Sequence, residues 1–153
     1  GHNFIEGTHT HAIVGEGVFD AVAMRQALLG HASCRAMIAL ATFGMHLSDG
    51  PDGQITKFIR LKERGLRGVT MMWDSSPEAM KAAVKAGLVL SGIGLRVTIA
   101  QLPDGCDPAQ AADKTPLDPA VVLKAIFTAE HLTRLSAIRL LHRAGAISAG
   151  DNP

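Results

Sequence analysis

Ala12-Ile13-Val14-Gly15-Glu16-Gly17-Val18-Phe19-Asp20 is the stretch on which the fold turns. A short apolar β run ends in a glutamate held between two glycines, and a helical pattern starts at once. Glycine on each side of Glu16 permits close backbone approach and unusual dihedrals. The arrangement recurs downstream. Val69-Thr70-Met71-Met72-Trp73-Asp74 is a second apolar run ending in an acid. Val97-Thr98-Ile99-Ala100-Gln101-Leu102-Pro103-Asp104-Gly105-Cys106-Asp107-Pro108 is a third, ending in two acids. In open α/β sheets, chemistry gathers outside the carboxyl ends of the strands. Carboxylates converging there are what a hard divalent cation and a phosphate chemistry need.

Working outward, the pattern predicts strands over 11–15, 35–41, 69–73 and 95–101. It predicts helices over 17–29, 54–64, 77–90, 119–129 and 130–144. Gly30 and Gly65 stop the first two helices, Gly92 and Gly94 the third. The first helix is apolar on most sides, except at Asp20, Arg25 and Gln26, and is expected to be well buried. In the second, Ile55, Phe58 and Ile59 point inward, with Lys57, Arg60, Lys62 and Arg64 outward. In the third, Met80, Ala83, Val84, Gly87 and Leu88 form one core-facing stripe. Turn-rich Ser48–Gly53 and a Pro- and Asp-rich loop over 103–116 separate elements. The tail from Gly145 is expected to fray. Strands alternating with helices imply βαβ crossovers. The expected class is α/β, with about four mostly parallel strands, helices on both faces and C-terminal helices beyond. The division expected is 1–116 for the sheet domain and 117–153 for a helical extension, together one compact unit cut from a longer protein. Gly1-His2 reads as the scar of a tag.

Composition narrows the function. The chain has 153 residues, 47% apolar and 19% charged, with a net charge of +1. That is one globular domain with a real core, and any nucleic-acid contact must rest on local patches. Aromatics at 4% argue against a stacking platform for single strands. Cys34 and Cys106 have no metal-type spacing and suit a reducing cytosol. No apolar run approaches the roughly 20 residues of a membrane span, so no membrane partner is expected. There are no repeats.

The ordered set Glu16-Gly17-x-x-Asp20, then Ala41-Thr42-Phe43-Gly44, then the strand into Asp74, then Leu102-Pro103-Asp104-Gly105-x-Asp107-Pro108 resembles a TOPRIM domain. It is most similar to the version in bacterial and phage replicative DNA primases. The resemblance covers roughly 12–112, and the Leu-Pro-Asp-Gly-x-Asp-Pro element is its most specific part. It implies a nucleotidyltransferase that makes RNA primers from NTPs on a single-stranded DNA template, with Mg²⁺ or Mn²⁺ as cofactor. It implies a bacterial cytoplasmic protein, or a phage protein in the host cytoplasm. A replicative helicase is an implied partner through flanking regions. Carried over by position, Glu16 becomes the acid/base or metal-directing residue. Asp74, Asp104 and Asp107 become metal ligands alongside it, with Asp20 in support. The chain departs from the pattern at Ser76, which stands where the family has the second acid of an Asp-x-Asp pair. A serine adds no negative charge, so binding should weaken; Glu78 is a possible stand-in at a different offset.

Each residue also has a plainer reading. Glu16 suits a first-turn helix acid. Asp104 and Asp107 suit turn residues. Ser76 before Pro77 suits a helix cap, as does Ser75 with Glu78. His9 and His11 share a strand face but lack a third ligand. His46, Lys57, Arg60, Arg64 and Arg67 are candidates for phosphate or template contact, or else an ordinary loop histidine and a solvated face; Arg134, Arg139 and Arg143 read likewise. Two further functions stay open: a TOPRIM module with eroded catalysis that binds or scaffolds nucleic acid, and a nuclease of the same superfamily.

Overall fold

The computed structural model describes residues 8–148, so Gly1-His2 and the last five residues lie outside the described part. The elements run β1 (His11–Gly15), α1 (Val18–Leu29), a 3-10 turn (Ala32–Cys34), β2 (Met37–Ala41), α2 (Gln54–Glu63), β3 (Gly68–Met71), α3 (Pro77–Gly92), β4 (Arg96–Ile99), α4 (Pro119–Phe127), β5 (Glu130–His131) and α5 (Arg134–Arg143). The five strands form one sheet in the order β2-β1-β3-β4-β5. The first four are parallel, and β5 pairs antiparallel with β4. This is the expected α/β sheet with one added edge strand. Among the described residues, no helix is long and apolar enough to cross a membrane.

Strand alternation divides the core between the two faces. Ala12, Val14, Val69, Met71, Val97 and Ile99 pack with Phe58 and Leu61 of α2, with α3, and with Ala137 and Leu140 of α5. Ile13 on the other face packs with Met24, Ala27 and Leu28 of α1 and with Val122, Ala125 and Ile126 of α4. The chain leaves β1 through α1 on one face, and α2 and α3 cover the other. The carboxyl ends of β1 and β3 are therefore the switch point of the topology, where an open sheet forms its crevice.

Four expectations need correction. Residues 130–144 are not one helix. Glu130–His131 pairs with β4, and Thr133 opens α5 as a cap that accepts from the Ser136 amide at 3.0 Å. α1 is not buried all round: Val18, Phe19, Val22 and Leu29 are exposed, because one apolar stripe suffices to cover the sheet. Ile59 and Leu88 are exposed, and Leu61 and Leu90 take the inward places. The chain does not fray from Gly145, since the Ala146 amide donates to the Leu141 carbonyl at 2.8 Å and its side chain is buried. Cys34 and Cys106 are free thiols, both buried.

Candidate active site

Glu16 leaves β1 at the carboxyl rim of the sheet. Its backbone is clamped from β2: the Phe43 amide donates to the Glu16 carbonyl at 2.7 Å, and the Thr42 amide to Gly15 at 3.0 Å. The buried Thr42 hydroxyl lies 3.2 Å from the Gly15 carbonyl and 2.8 Å from that of Gly44. Gly15 is required here, because a Cβ would stand 2.8 Å from both Asp20 Cβ and Met24 Cε. Gly17 caps α1, and its amide donates to Asp20 Oδ2 at 2.7 Å. The helix acid is thus Asp20, while the Glu16 carboxylate has no hydrogen bond among the described residues.

Asp74 follows β3. Its Oδ1 accepts from the Ser76 amide at 2.7 Å. Ser76 is the cap of α3, its Oγ accepting from the Ala79 amide at 3.2 Å, with Pro77 in the first helical turn. Of the two capping schemes, Ser76 with Pro77 is the one formed. Beyond β4, Gly105 takes a φ of 75° in the turn that the Cys106 amide closes on the Pro103 carbonyl at 3.1 Å. The Ser75 amide donates to the Cys106 carbonyl at 3.1 Å, tying this loop to Asp74. Asp107 Oδ1 accepts from the amides of Ala109 at 2.8 Å and Gln110 at 2.6 Å.

These loops bring Glu16, Asp20, Asp74 and Asp107 to one open cavity of about 320 Å³, with Gly17, Phe43 and Gly44 completing its wall. Asp104 is not among them. It lines a smaller neighbouring cavity of about 70 Å³ with Asp74, Ser75 and Arg143. Arg143, in turn, is ion-paired to Glu130, as is Arg139 at 3.0 Å. Among the described residues, no three His, Cys, Asp or Glu side chains converge tightly enough to hold a metal ion unaided.

The charges feel one another. Burial raises the Glu16 carboxyl above its ordinary range, and the carboxylates of Asp74 and Asp20 raise it further. Asp20 is also raised, first by burial; the Gly17 amide opposes this, and the charges of Asp107 and Asp74 add to it. Mutual repulsion of this kind marks a site short of positive charge.

None of the remaining candidates lines this cavity. Ser76 and Glu78 belong to the first turn of α3, and Glu78 is solvent-exposed. His46 is exposed in the loop beyond Gly44. Lys57 faces a groove beside α2, Arg60 reaches the Pro51 carbonyl at 3.4 Å, and Arg64 is exposed. Arg67 precedes β3, at the opposite rim of a parallel sheet, so it cannot share the cavity. His9 and His11 form no pair. His11 Nε2 is 2.7 Å from Thr70 Oγ1, which is 2.8 Å from Thr98 Oγ1, while His9 Nδ1 is buried with no partner among the described residues. Phe43, in the Ala41-Thr42-Phe43-Gly44 segment, adds a wall to the cavity, and its left-handed φ of 56° has no sequence signature.

No protein-family model matches the chain, and no curated protein matches it. Among solved structures it is similar to the zinc-binding and RNA polymerase domains of the Aquifex aeolicus primase, at 20% identity and a TM-score of 0.59, over 97% of this chain. The fold is that of the primase polymerase core. The RNA polymerase domain of the Mycobacterium tuberculosis primase DnaG is also matched, at 17% identity and a TM-score of 0.48, over 92% of this chain and 47% of that one. The chain spans only 36% of the Aquifex primase chain. The TOPRIM-like, primase-type fold expected from the motifs is therefore the fold observed, with the four acids at its carboxyl rim.

Proposed function

We propose that this chain is the nucleotidyl-transfer core of a primase, joining NTPs into a short RNA primer on single-stranded DNA with Mg²⁺ or Mn²⁺ as cofactor. The observation that supports this most is the four-carboxylate cavity at the switch point of a primase-type fold. The donor set fits a hard cation. Asp74 and Asp107 each spend one oxygen on backbone amides and retain the other, and Glu16 retains both. Such a cation is commonly held by one or two carboxylates together with phosphates and waters, so a complete protein cage is not needed. One or two of Glu16, Asp74 and Asp107 would be ligands, with phosphates and waters supplying the rest, Asp20 behind them and Asp104 beside Asp74. When bound, the cation would offset phosphate charge and acidify the attacking hydroxyl. Glu16, which has no hydrogen bond among the described residues, would direct the cation or take the proton of that hydroxyl. Contact with a helicase would belong to other parts of a longer parent.

One observation favours the second reading, a module that binds without catalysing. The Ser76 hydroxyl is already engaged in capping α3, so nothing replaces the second acid there. The deciding experiment is Mg²⁺-dependent incorporation of labelled ribonucleotides on single-stranded DNA, with DNA nicking scored in parallel. Incorporation lost in Glu16→Gln and Asp74→Asn is the expected result. Template binding without incorporation would support the scaffold, and metal-dependent nicking would support the nuclease.

A further inference from the structure

Phe43 combines two unfavourable features. Its ring is 77% exposed, and its backbone is left-handed at a φ of 56°, a conformation that disfavours any side chain with a Cβ. An outlier of this sort persists only where its surroundings hold it, and such residues cluster at functional sites. The holding groups are visible: the Phe43 amide is bonded to the Glu16 carbonyl at 2.7 Å, and Thr42 is bonded on both sides. The same backbone that fixes Glu16 therefore presents the Phe43 ring.

Phe43 is also the wall between two cavities. On one side lies the carboxylate cavity. On the other is a groove of about 430 Å³ along the edge strand β2, floored by Leu40, Ala41 and Phe58 and flanked by Val18 of α1. Among the described residues, Lys57 is the groove's one charged side chain, and its other polar side chains are spent. Gln54 accepts from the Ser48 amide at 2.5 Å and donates to the Thr42 carbonyl at 2.5 Å, and the Thr42 hydroxyl is bonded to backbone carbonyls. A highly charged compartment thus adjoins an apolar one across a single exposed aromatic ring. A nucleoside triphosphate has the same division, charged at one end and flat and apolar at the other.

We infer that Phe43 stacks on the nucleobase of a Mg²⁺-bound nucleoside triphosphate whose phosphates, their charge offset by the cation, lie at the carboxylate cavity, seating the base at the mouth of the β2 groove. This rests on the nucleotidyl-transfer reading. Because Lys57 is the one charged side chain in the groove and its other polar groups are spent, recognition there is mainly by stacking and differs little among bases.

The test is equilibrium binding, with Mg²⁺ present, of ATP, CTP and inorganic tripolyphosphate to the whole chain. Wild type should bind ATP and CTP with similar affinity, both more tightly than tripolyphosphate. Phe43→Ala should weaken both nucleotides by about tenfold, the scale of one lost base stack, and leave tripolyphosphate unchanged. Phe43→Trp should retain nucleotide binding. Phe43→Gly should melt at a higher temperature than wild type, because glycine accepts the left-handed backbone, yet lose nucleotide affinity as alanine does. That pairing separates a lost contact from a damaged fold. An unchanged ratio of ATP to tripolyphosphate affinity in Phe43→Ala and Phe43→Gly would overturn the base seat while sparing the carboxylate site. Failure of tripolyphosphate to bind wild type would remove the carboxylate site, and the base seat with it.

Discussion

Replacing Glu16 by glutamine keeps the shape of the side chain and removes one of four negative charges. In the metal-free protein this relieves repulsion from Asp74 and Asp20. Glu16 is only partly buried, so solvent screens much of that gain, and the melting temperature should rise by no more than about 1 °C. With cation the order reverses. A ligand at about ten times its Kd stabilises the folded state by about 1.4 kcal/mol. For a domain of this size that corresponds to about 3–6 °C. Losing one carboxylate ligand should weaken the ion by about tenfold, leaving about 0.4 kcal/mol and a rise of about 1 °C at the same concentration. The assay is thermal melting against Mg²⁺ and Mn²⁺ for wild type, Glu16→Gln and Asp74→Asn, with exposed Asp52→Asn as control. Equal cation responses in wild type and both site variants, or no response in wild type, would refute the shared ion site.

Three other outcomes follow from the same geometry. Ser76→Ala should destabilise the fold by about 1 kcal/mol through loss of the α3 cap, read by denaturant unfolding, whereas Ser76→Asp should keep the cap and tighten Mg²⁺ binding; unchanged affinity would count against the alignment of this loop. Gly15→Ala should cost about 1–3 kcal/mol, because the new methyl meets Asp20 and Met24, and a wild-type unfolding midpoint would show that α1 moves freely. His11 is held below its ordinary pKa by burial and then by the Arg96 charge, so the unfolded chain binds its proton more readily. Its contribution to stability is present above about pH 6.5 and is lost as pH falls through the lower folded value. Melting from about pH 7.5 down to about pH 5 should fall less steeply in His11→Gln, and identical slopes would exclude His11 as the source.

The rim of acids was legible in part because two of its members, Glu16 and Asp74, stand where apolar runs stop. Glu16, Asp74 and Asp107 come after β1, β3 and β4 in sequence, and a parallel sheet brings those ends together whatever the side chains do. Asp104 and Asp107 were both expected there, and the sequence did not separate them. Asp104 lies three residues from Asp107, and the turn at Gly105 decides which of the two faces Glu16. β5 was hidden because two residues carry no periodicity, and its pairing is dictated by the edge of β4. The exposure of Val18, Phe19 and Val22 was hidden as well, since a helix with apolar residues all round does not declare which stripe the sheet will take.

Asp20, Asp74 and Asp107 are each moored by an oxygen that accepts from a nearby main-chain amide. Their rotamers are restricted when the chain folds, so a cation bound there would meet side chains whose conformational entropy has already been lost. Glu16 has no such mooring among the described residues. Order–disorder on ligation should therefore be concentrated in one side chain, with Glu16 as the arm that swings and the three aspartates as its fixed frame.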